Sequence, residues 1–306
     1  SAKSGELARR WPSAFTVTLT GEQMRKWDPH RRLEESLLDR FDGSLPGTIP
    51  RKWEKFADVV ILPADCFEDG LWNPDETLWK LVADALGAKR LGRMGEVSGE
   101  YRKSGVELLL GESDWVERTE NATSFGYHFT RTMWSRGNVN IRRAIAEGVG
   151  AGEVVCDLFA GIGYYTLPIL VHSEAAMVHA CEINPESVDS LRWGLGANGV
   201  EGRCTIHEGD NRIATLGLEG VADRVLLGLL PSSEDGFEPA MRVLKPEGGV
   251  LHVHGLAAPG KYETWTDEVE RQLSGLRPGA SLSSRPSRVK SYAPHWEHCC
   301  LEIDVA

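Results

Sequence analysis

Residues 154–163 read Val-Val-Cys-Asp-Leu-Phe-Ala-Gly-Ile-Gly, and this stretch decides the fold of the chain. A short apolar run ends in Asp157, and two glycines, Gly161 and Gly163, then open a helical segment. Glycine tolerates positive φ angles and lets ligand atoms approach the backbone, while the start of a helix offers free N–H groups. The pattern therefore predicts the first strand of a parallel sheet, ending in a turn that faces a nucleoside.

Two further strand ends carry polar groups that suit a nucleoside. Glu182 ends an apolar run and lies 19 residues beyond Gly163 (182 − 163), the distance expected for one helix plus one strand. An acid at that place accepts hydrogen bonds from both ribose hydroxyls. The next predicted strand, residues 204–207, leads to Asp210 and Asn211, whose side chains can pair with an adenine edge. These groups predict an adenosyl ligand, and ordinary turns of an α/β fold are the alternative.

A dinucleotide is a competing ligand for the same glycine turn. Its fingerprint normally has a third glycine, G-x-G-x-x-G, which lets the helix pack on the strand. Here Thr166 occupies the third position, and the second strand ends in Glu-Ile-Asn-Pro at residues 182–185. S-adenosylmethionine therefore fits better than NAD. Predicted strands at residues 224–227 and 250–254 complete a doubly wound α/β sheet.

The composition limits the class of protein. With 306 residues, 41% of them hydrophobic, the chain can bury a large core in one or two domains. It has no apolar run long enough to span a membrane and no signal-peptide pattern. Its six cysteines include no C-x-x-C pair, and Cys156 and Cys181 fall in predicted core strands. We therefore expect reduced thiols, a cytoplasmic location, no metal site and a monomer.

The net charge of −11 argues against broad, non-specific nucleic-acid binding, which depends on neutralising phosphates. A local basic surface is nevertheless compatible with that charge, because basic residues cluster along the chain. For any single cluster a solvated face is the simpler interpretation, and the sequence does not show whether the clusters converge. They are Arg51-Lys52, Lys89-Arg90-Arg93, Arg102-Lys103, Arg131-Arg136-Arg142-Arg143 and Arg285-Arg288-Lys290.

The chain divides into three predicted parts: an N-terminal extension (1–48), a small α/β domain (49–138) and the ligand-binding domain (139–306). Glycine and proline residues between positions 43 and 50 mark the first boundary. Outside the ligand-binding domain we expect strands at 14–19, 58–63 and 106–110, a helix ending at Arg40, and a helix at 78–86 that Gly87 terminates.

Five segments of the chain occur together in a known family. They are Arg51-Lys52-Trp53-Glu54, Phe129-Thr130-Arg131-Thr132-Met133-Trp134-Ser135-x-Gly137-Asn138, the turn 157–163, Gly228-Leu229-Leu230-Pro231-Ser232-Ser233, and Tyr292-Ala293-Pro294. With them, residues 49 to 306 resemble the wybutosine-synthesising aminocarboxypropyl transferases, which are related to the tRNA guanine N1-methyltransferases. The glycine turn is generic to class I methyltransferase folds, whereas the first two segments and the Leu-Pro-Ser loop are specific.

The resemblance implies a class I, Rossmann-like S-adenosylmethionine-dependent methyltransferase fold with a smaller N-terminal α/β domain. It implies transfer of the 3-amino-3-carboxypropyl (acp) group from S-adenosylmethionine to 4-demethylwyosine, a tricyclic modified guanine beside the anticodon of tRNA-Phe. Family members often carry lysine where this chain has Arg142. The expected cofactor-binding residues are Ser135, Arg142, Asp157, Phe159, Ala160, Gly161, Glu182, Asp210 and Asn211, and the expected catalytic residues are Arg136, Pro231 and Ser232.

The loop at residues 228–233 distinguishes the two groups of relatives. The methyltransferases carry an Asn-Pro-Pro type loop, whose amide can hold a ring N–H during transfer. Here Gly228 and Leu229 stand in that place, and losing an acid–base contact typically costs ~10²–10⁴-fold in rate. The loop favours acp transfer. Methyl transfer to guanine N1 and a non-catalytic module that binds S-adenosylmethionine and RNA are the alternatives.

Transfer of the acp group requires the amino-acid arm of the donor, and not its methyl group, to face the acceptor. We expect Ser135 and Arg142 to set that pose by binding the carboxylate of the arm or its surroundings. Candidates for stacking on the extruded base, each of which can equally belong to the core, are Trp134, Phe159 and Tyr164.

Three further residues have two interpretations each. Asp157 either holds the amine of the arm or caps its own turn. His128 and His207 flank predicted site segments, where a structural role is a simpler interpretation than a general base.

Overall fold

A computed structural model describes residues 28–95, 104–135 and 137–306, so the predicted strand at 14–19, Arg102, Lys103 and Arg136 lie outside the described residues. The helices and strands are α1 (Pro29–Arg40), β1 (Glu54–Phe56), β2 (Val59–Leu62), α2 (Asp69–Trp72), α3 (Glu76–Leu86), β3 (Arg90–Arg93), β4 (Glu107–Leu110), β5 (Trp115–Glu120), β6 (Thr123–His128), α4 (Val139–Gly148), β7 (Val154–Asp157), α5 (Thr166–His172), β8 (Met177–Glu182), α6 (Pro185–Asn198), β9 (Cys204–Glu208), α7 (Asn211–Ala214), β10 (Arg224–Leu227), α8 (Phe237–Val243), β11 (Gly249–Ala257), α9 (Tyr262–Leu276), β12 (Leu282–Ala293) and β13 (Trp296–Val305).

The larger sheet has seven strands in the order β12-β13-β11-β10-β7-β8-β9. β8 and β9 extend it in parallel on one side of β7, and β10 and β11 do so on the other, while β13 is antiparallel. The strand order reverses between β7 and β10, and parallel sheets bind ligands at such a switch point, beyond the carboxyl ends of the strands. This topology confirms the predicted Rossmann-like α/β fold.

Successive residues of the central strands point to opposite faces of the sheet, and both faces are covered. Val155 packs in one hydrophobic cluster with residues of α4 and α5, whereas Cys156 packs in another with residues of α8 and α9. Strands buried on both faces read as continuous apolar runs, which is why their sequence pattern was clear. All six cysteines are free thiols.

A four-stranded sheet, ordered β1-β2-β3-β4, forms the smaller part of the molecule. α1 packs against α3, and its Leu33 and Leu37 are fully buried in the cluster beneath this sheet. The predicted extension, residues 1–48, thus includes a helix, α1, that supplies part of this core, while the division into domains stays a prediction. Within the described residues, no helix is both long and apolar enough to cross a lipid bilayer.

The hairpin of β5 and β6 joins the two sheets. Asn121 and Ala122, with φ angles of 48° and 57°, form its two-residue turn. The amide of Asn198 in α6 holds the hairpin by accepting from the backbone N of Ser124 at 2.9 Å and donating to its O at 2.8 Å. The small sheet, the hairpin and the large sheet consequently share one hydrophobic cluster.

Candidate functional site

A cavity of about 310 Å³ opens beyond the carboxyl ends of β7, β8, β9 and β10, at the switch point of the large sheet. Its wall combines the glycine turn, the ends of β8 and β9, the loop after β10, and the residues Thr132, Met133, Ser135 and Asn138. The predicted site residues that line it are Ser135, Phe159, Gly161, Glu182, Asp210 and Asn211. Arg142, Asp157, Ala160, Pro231 and Ser232 lie outside this wall.

Glu182 ties the end of β8 to the glycine turn. Its two carboxylate oxygens accept hydrogen bonds from the backbone N–H groups of Gly161 and Asn184, both at 2.7 Å. Gly161 has a φ of 57°, a left-handed conformation that favours glycine. Burial raises the pKa of Glu182, and the two N–H groups oppose that shift. Each oxygen keeps a second lone pair, so the carboxylate can still accept from a pair of vicinal hydroxyls.

Asp157 lies beneath the cavity and is fully buried. Its carboxylate accepts from the Thr166 hydroxyl at 2.8 Å and from the backbone N of Phe159 at 3.4 Å. Burial raises the pKa of Asp157 to about 6. Of its two interpretations, the structure places it as a cap of its own turn, with Thr166 as the partner. Ala160 is also fully buried, and its backbone N donates to the O of Cys181 at 2.9 Å.

Asp210 and Asn211 extend the wall beyond β9. The Asn211 amide donates to the backbone O of Leu158 at 2.9 Å, which fixes the end of β9 against the end of β7. Asp210 caps α7 by accepting from the backbone N of Arg212 at 2.9 Å, and it pairs with the guanidinium of that residue. The hydrogen bond to that guanidinium lowers the pKa of Asp210, so an anion stands at this end of the cavity.

Arg142 is almost completely buried and supports the wall from behind. It donates to Glu120 Oε1 at 2.8 Å and to the backbone O of Ser135 at 2.7 Å. Arg142 thus contacts the segment that carries Ser135, and its predicted role in cofactor binding stays a prediction. The Ser135 hydroxyl accepts from the Asn138 amide at 2.9 Å, which leaves its own proton available to a ligand.

The three candidates for base stacking separate in the structure. Trp134 is enclosed by Phe125, Tyr127 and Arg118, whose guanidinium lies 4.0 Å from its ring centroid, so the core interpretation applies to it. Phe159 and Tyr164 line the cavity. The Tyr164 hydroxyl donates to the backbone O of Met133, which joins the glycine turn to residues 132–138.

The loop after β10 lines the cavity with Gly228, Leu229 and Leu230. The Leu230–Pro231 peptide bond is cis, and Pro231 and Ser232 are exposed on the far side of the loop. The Ser232 hydroxyl accepts from the backbone N of Glu234 at 3.2 Å. Neither predicted catalytic side chain of this loop reaches the cavity, because the chain turns away from it after Leu230.

Most described residues of the predicted basic clusters have acidic partners, so their charges are locally compensated. The ion pairs are Arg90–Asp58, Arg93–Glu107, Arg131–Glu186, Arg142–Glu120, Arg143–Glu147, Arg285–Glu302 and Arg288–Glu297. Lys290 packs beside Gly137, next to the cavity wall.

The two histidines that flank the site have structural partners. His128 Nδ1 lies 2.7 Å from Asp114 Oδ1, and His207 Nε2 lies 3.0 Å from His179 Nδ1. Neither lines the cavity. Within the described ranges, no group of three or more His, Cys, Asp or Glu side chains is arranged to hold a metal ion.

Several lining residues were missed by sequence reasoning: Thr132, Asn138, Asn184, Ser187 and Asp235. Thr132 Oγ1 and Asn138 Oδ1 are buried without a hydrogen-bond partner among the described residues. Both belong to the segment 129–138, so its resemblance was the available signal. Asp235 follows the loop at residues 228–233, where the spacing of residues in the sequence does not indicate which side chains face the cavity.

Two successive parts of the sequence match known protein domains. Residues 116–274 match the TRM5/TYW2 methyltransferase domain, and residues 33–114 match the TYW2 N-terminal domain. The tRNA wybutosine-synthesizing protein 2 homolog of Bos taurus is 43% identical over 273 residues, which cover 84% of this chain and 62% of the relative. The chain spans only 27% of the length of the plant relatives it matches.

Two solved structures have the same fold. P. horikoshii TYW2 in complex with MeSAdo aligns with a TM-score of 0.73 and 26% identity, over 90% of this chain and 97% of that one. M. jannaschii TYW2 in complex with AdoMet aligns with a TM-score of 0.65 and 25% identity, over 83% of this chain and 99% of that one.

Proposed function

Because the chain belongs to the family of the TRM5/TYW2 methyltransferase domain, we propose that it is an acp transferase acting on tRNA. The donor is S-adenosylmethionine, and the acceptor is 4-demethylwyosine beside the anticodon of tRNA-Phe. The relatives named for wybutosine synthesis and the TYW2 complexes with AdoMet and MeSAdo support this proposal.

The observation that carries the proposal is the composition of the cavity wall. Glu182 and Gly161 form a site for a ribose, with Asp210 and Asn211 alongside for an adenine. Facing them, Gly228, Leu229 and Leu230 supply no side-chain amide or acid. Such a loop suits an alkylation that depends on orientation and exclusion of water, because it has no amide at the place where the methyltransferases hold the ring N–H of guanine.

The proposed reaction exchanges one bond for another. A ring carbon of the acceptor attacks the γ-carbon of the acp arm, the bond from that carbon to sulfur breaks, and its electron pair stays on 5′-methylthioadenosine. The acceptor carbon then loses its proton to solvent. In this scheme Glu182, Asp210 and Asn211 hold the adenosyl part, Ser135 faces the arm, and Phe159 and Tyr164 offer ring surfaces to the base.

The alternative function is methylation of guanine N1 in tRNA. The matched family description includes TRM5, and Trm5b from Pyrococcus abyssi shares the fold with a TM-score of 0.68 at 20% identity.

We propose that the protein is a cytoplasmic monomer that uses no metal ion, and that it binds the anticodon loop of the tRNA.

A double-label assay tests the proposed function. The protein is incubated with S-adenosylmethionine labelled on the methyl group or on the methionine carboxyl, and with tRNA-Phe carrying either the tricyclic base or unmodified guanine. Carboxyl label in the tricyclic tRNA alone is the expected result. Methyl label in the unmodified tRNA would overturn the proposal in favour of the methyltransferase, and binding without transfer of either label would indicate the non-catalytic module.

A further inference from the structure

We propose that Asp235 binds the α-ammonium group of the donor's amino-acid arm and thereby directs the arm toward the acceptor. This inference rests on the proposed function, because only acp transfer requires the arm to face the acceptor. It assigns a binding role to a residue for which neither spacing nor resemblance gave a signal.

The acidic side chains of the cavity wall differ in their existing partners. Both oxygens of Glu182 accept backbone hydrogen bonds, and Asp210 caps α7 and pairs with Arg212. Asp235 also lines the cavity, but within the part of the chain that the structure describes its carboxylate makes neither a hydrogen bond nor an ion pair. It is therefore the wall carboxylate with its full accepting capacity left for a ligand.

Asp235 lines the cavity on the side of the loop after β10. It follows the loop of Gly228, Leu229 and Leu230, and its neighbour Gly236 lies against the Phe159 ring, because a Cβ there would approach that ring to 2.8 Å. The glycine turn and the chain after β10 thus meet at Gly236, next to Asp235. In the proposed pose the ribose is at Glu182, and the arm extends across the cavity to the loop side, where Asp235 lies.

The chemistry of the arm matches this position. The arm has an ammonium and a carboxylate on one carbon, and an anion close to the ammonium selects that end by charge. The other side chains that the loop contributes to the cavity, Leu229 and Leu230, are apolar and offer no charge to the ammonium. Asp235 thus distinguishes an arm directed at the acceptor from one folded back on the glycine turn.

Binding measurements on Asp235→Asn test the inference without relying on turnover. Isothermal titration compares three ligands: S-adenosylmethionine, its decarboxylated form, which keeps the ammonium, and 5′-methylthioadenosine, which lacks the arm. We expect Asp235→Asn to weaken the first two by about tenfold, as for a charge-assisted hydrogen bond, and to leave the third unchanged. Asp235→Glu should restore part of the loss.

Glu234→Gln is the matched control, since Glu234 is the adjacent exposed carboxylate and does not line the cavity. It should change the affinity for none of the three ligands. Equal losses for all three ligands in Asp235→Asn, or no loss for any, would overturn the inference. So would a raised KM for tRNA with unchanged donor affinity, since that result assigns Asp235 to the acceptor. Failure of the proposed function is distinguishable, because it appears in the label assay of the unaltered protein.

Discussion

The Glu182 carboxylate stabilises the fold and, in the proposed function, also binds the ribose of the donor. Its oxygens hold the backbone of Gly161 and Asn184, and their remaining lone pairs face the cavity. A ribose that binds there meets an acceptor whose orientation is already fixed, so little conformational entropy is lost on binding. The same arrangement makes the residue costly to replace, because the glycine turn loses its anchor.

Replacing Glu182 with alanine should weaken S-adenosylmethionine binding by about 10–100-fold, since a hydrogen bond to a charged group is worth ~1.5–3 kcal/mol. Isothermal titration calorimetry measures the change. Glu182→Gln, which keeps one accepting oxygen, should lose less affinity. Asp189→Ala, an exposed acid of α6, serves as the control and should bind normally. Unchanged affinity of Glu182→Ala would refute the ribose role.

The paired strands β11 and β13 bury three histidines side by side. His254 Nδ1 lies 2.8 Å from His298 Nε2, and His252 Nε2 lies 2.7 Å from an Arg224 nitrogen. Burial lowers the pKa of His252 to about 3 and that of His298 to about 4, and it lowers the pKa of His254 as well. The folded protein therefore keeps these three imidazoles in their neutral form.

Stability should therefore fall as the pH drops below about 6.5, the ordinary histidine pKa. In that range the histidines of the unfolded chain bind protons, whereas those of the folded protein stay neutral. Each histidine therefore contributes up to about 1.4 kcal/mol per pH unit to the slope of the free energy of unfolding against pH. Asp157, whose pKa rises from 3.8 to about 6, and Glu182, whose pKa is also raised, act in the opposite direction at lower pH. They are two groups against the three histidines, whose effect is increased by the lowered pKa values of His179 and His207.

Urea unfolding at pH 7.5, 6.5 and 5.5 measures this dependence. His298→Gln, which cannot titrate, should give a shallower slope whatever its absolute stability. A free energy of unfolding that is constant between pH 7.5 and 5.5 would contradict the buried neutral state of these histidines.

The molecule has a core that crosses its two sheets. Phe56 of the small sheet, Phe125 of the hairpin and Val155 of the large sheet belong to one cluster of buried residues. Contacts of this kind couple the unfolding of the parts they join, because neither part keeps its apolar surface buried alone. The cavity wall depends on these contacts, because the wall residues Thr132, Met133 and Ser135 come shortly after the hairpin in the chain.

Calorimetry should accordingly show a single cooperative transition. Phe125→Ala should destabilise the whole protein by about 3–5 kcal/mol, the usual cost of deleting a buried aromatic ring, without dividing the transition. Leu71→Ala, at a side chain that is 57% exposed, should leave the transition temperature nearly unchanged. Two separate transitions, of which Phe125→Ala moves only one, would show that the two sheets fold independently.

The sequence by itself determined which segments form the parallel strands that end at the cavity, and the chemistry at their ends. β7, β8, β9 and β10 were predictable because strands buried on both faces are apolar runs, and because the groups that follow them must face the same edge. Ser135, Glu182, Asp210 and Asn211 line the cavity as the sequence indicated. The hairpin turn at Asn121 and Ala122 begins with asparagine, which is a known signal for this type of turn.

Only the tertiary structure decided which way individual side chains point. Arg142 turns to Glu120, Trp134 packs against Tyr127, and Asp157 turns inward to Thr166. Glu120 and Tyr127 lie in the hairpin and meet these side chains only when the hairpin packs against the large sheet, which no local spacing reveals. Asp235 reaches the cavity because the chain after β10 folds back over the Phe159 ring. Such orientations follow from packing between distant segments, whereas strand ends follow from local hydrophobic pattern.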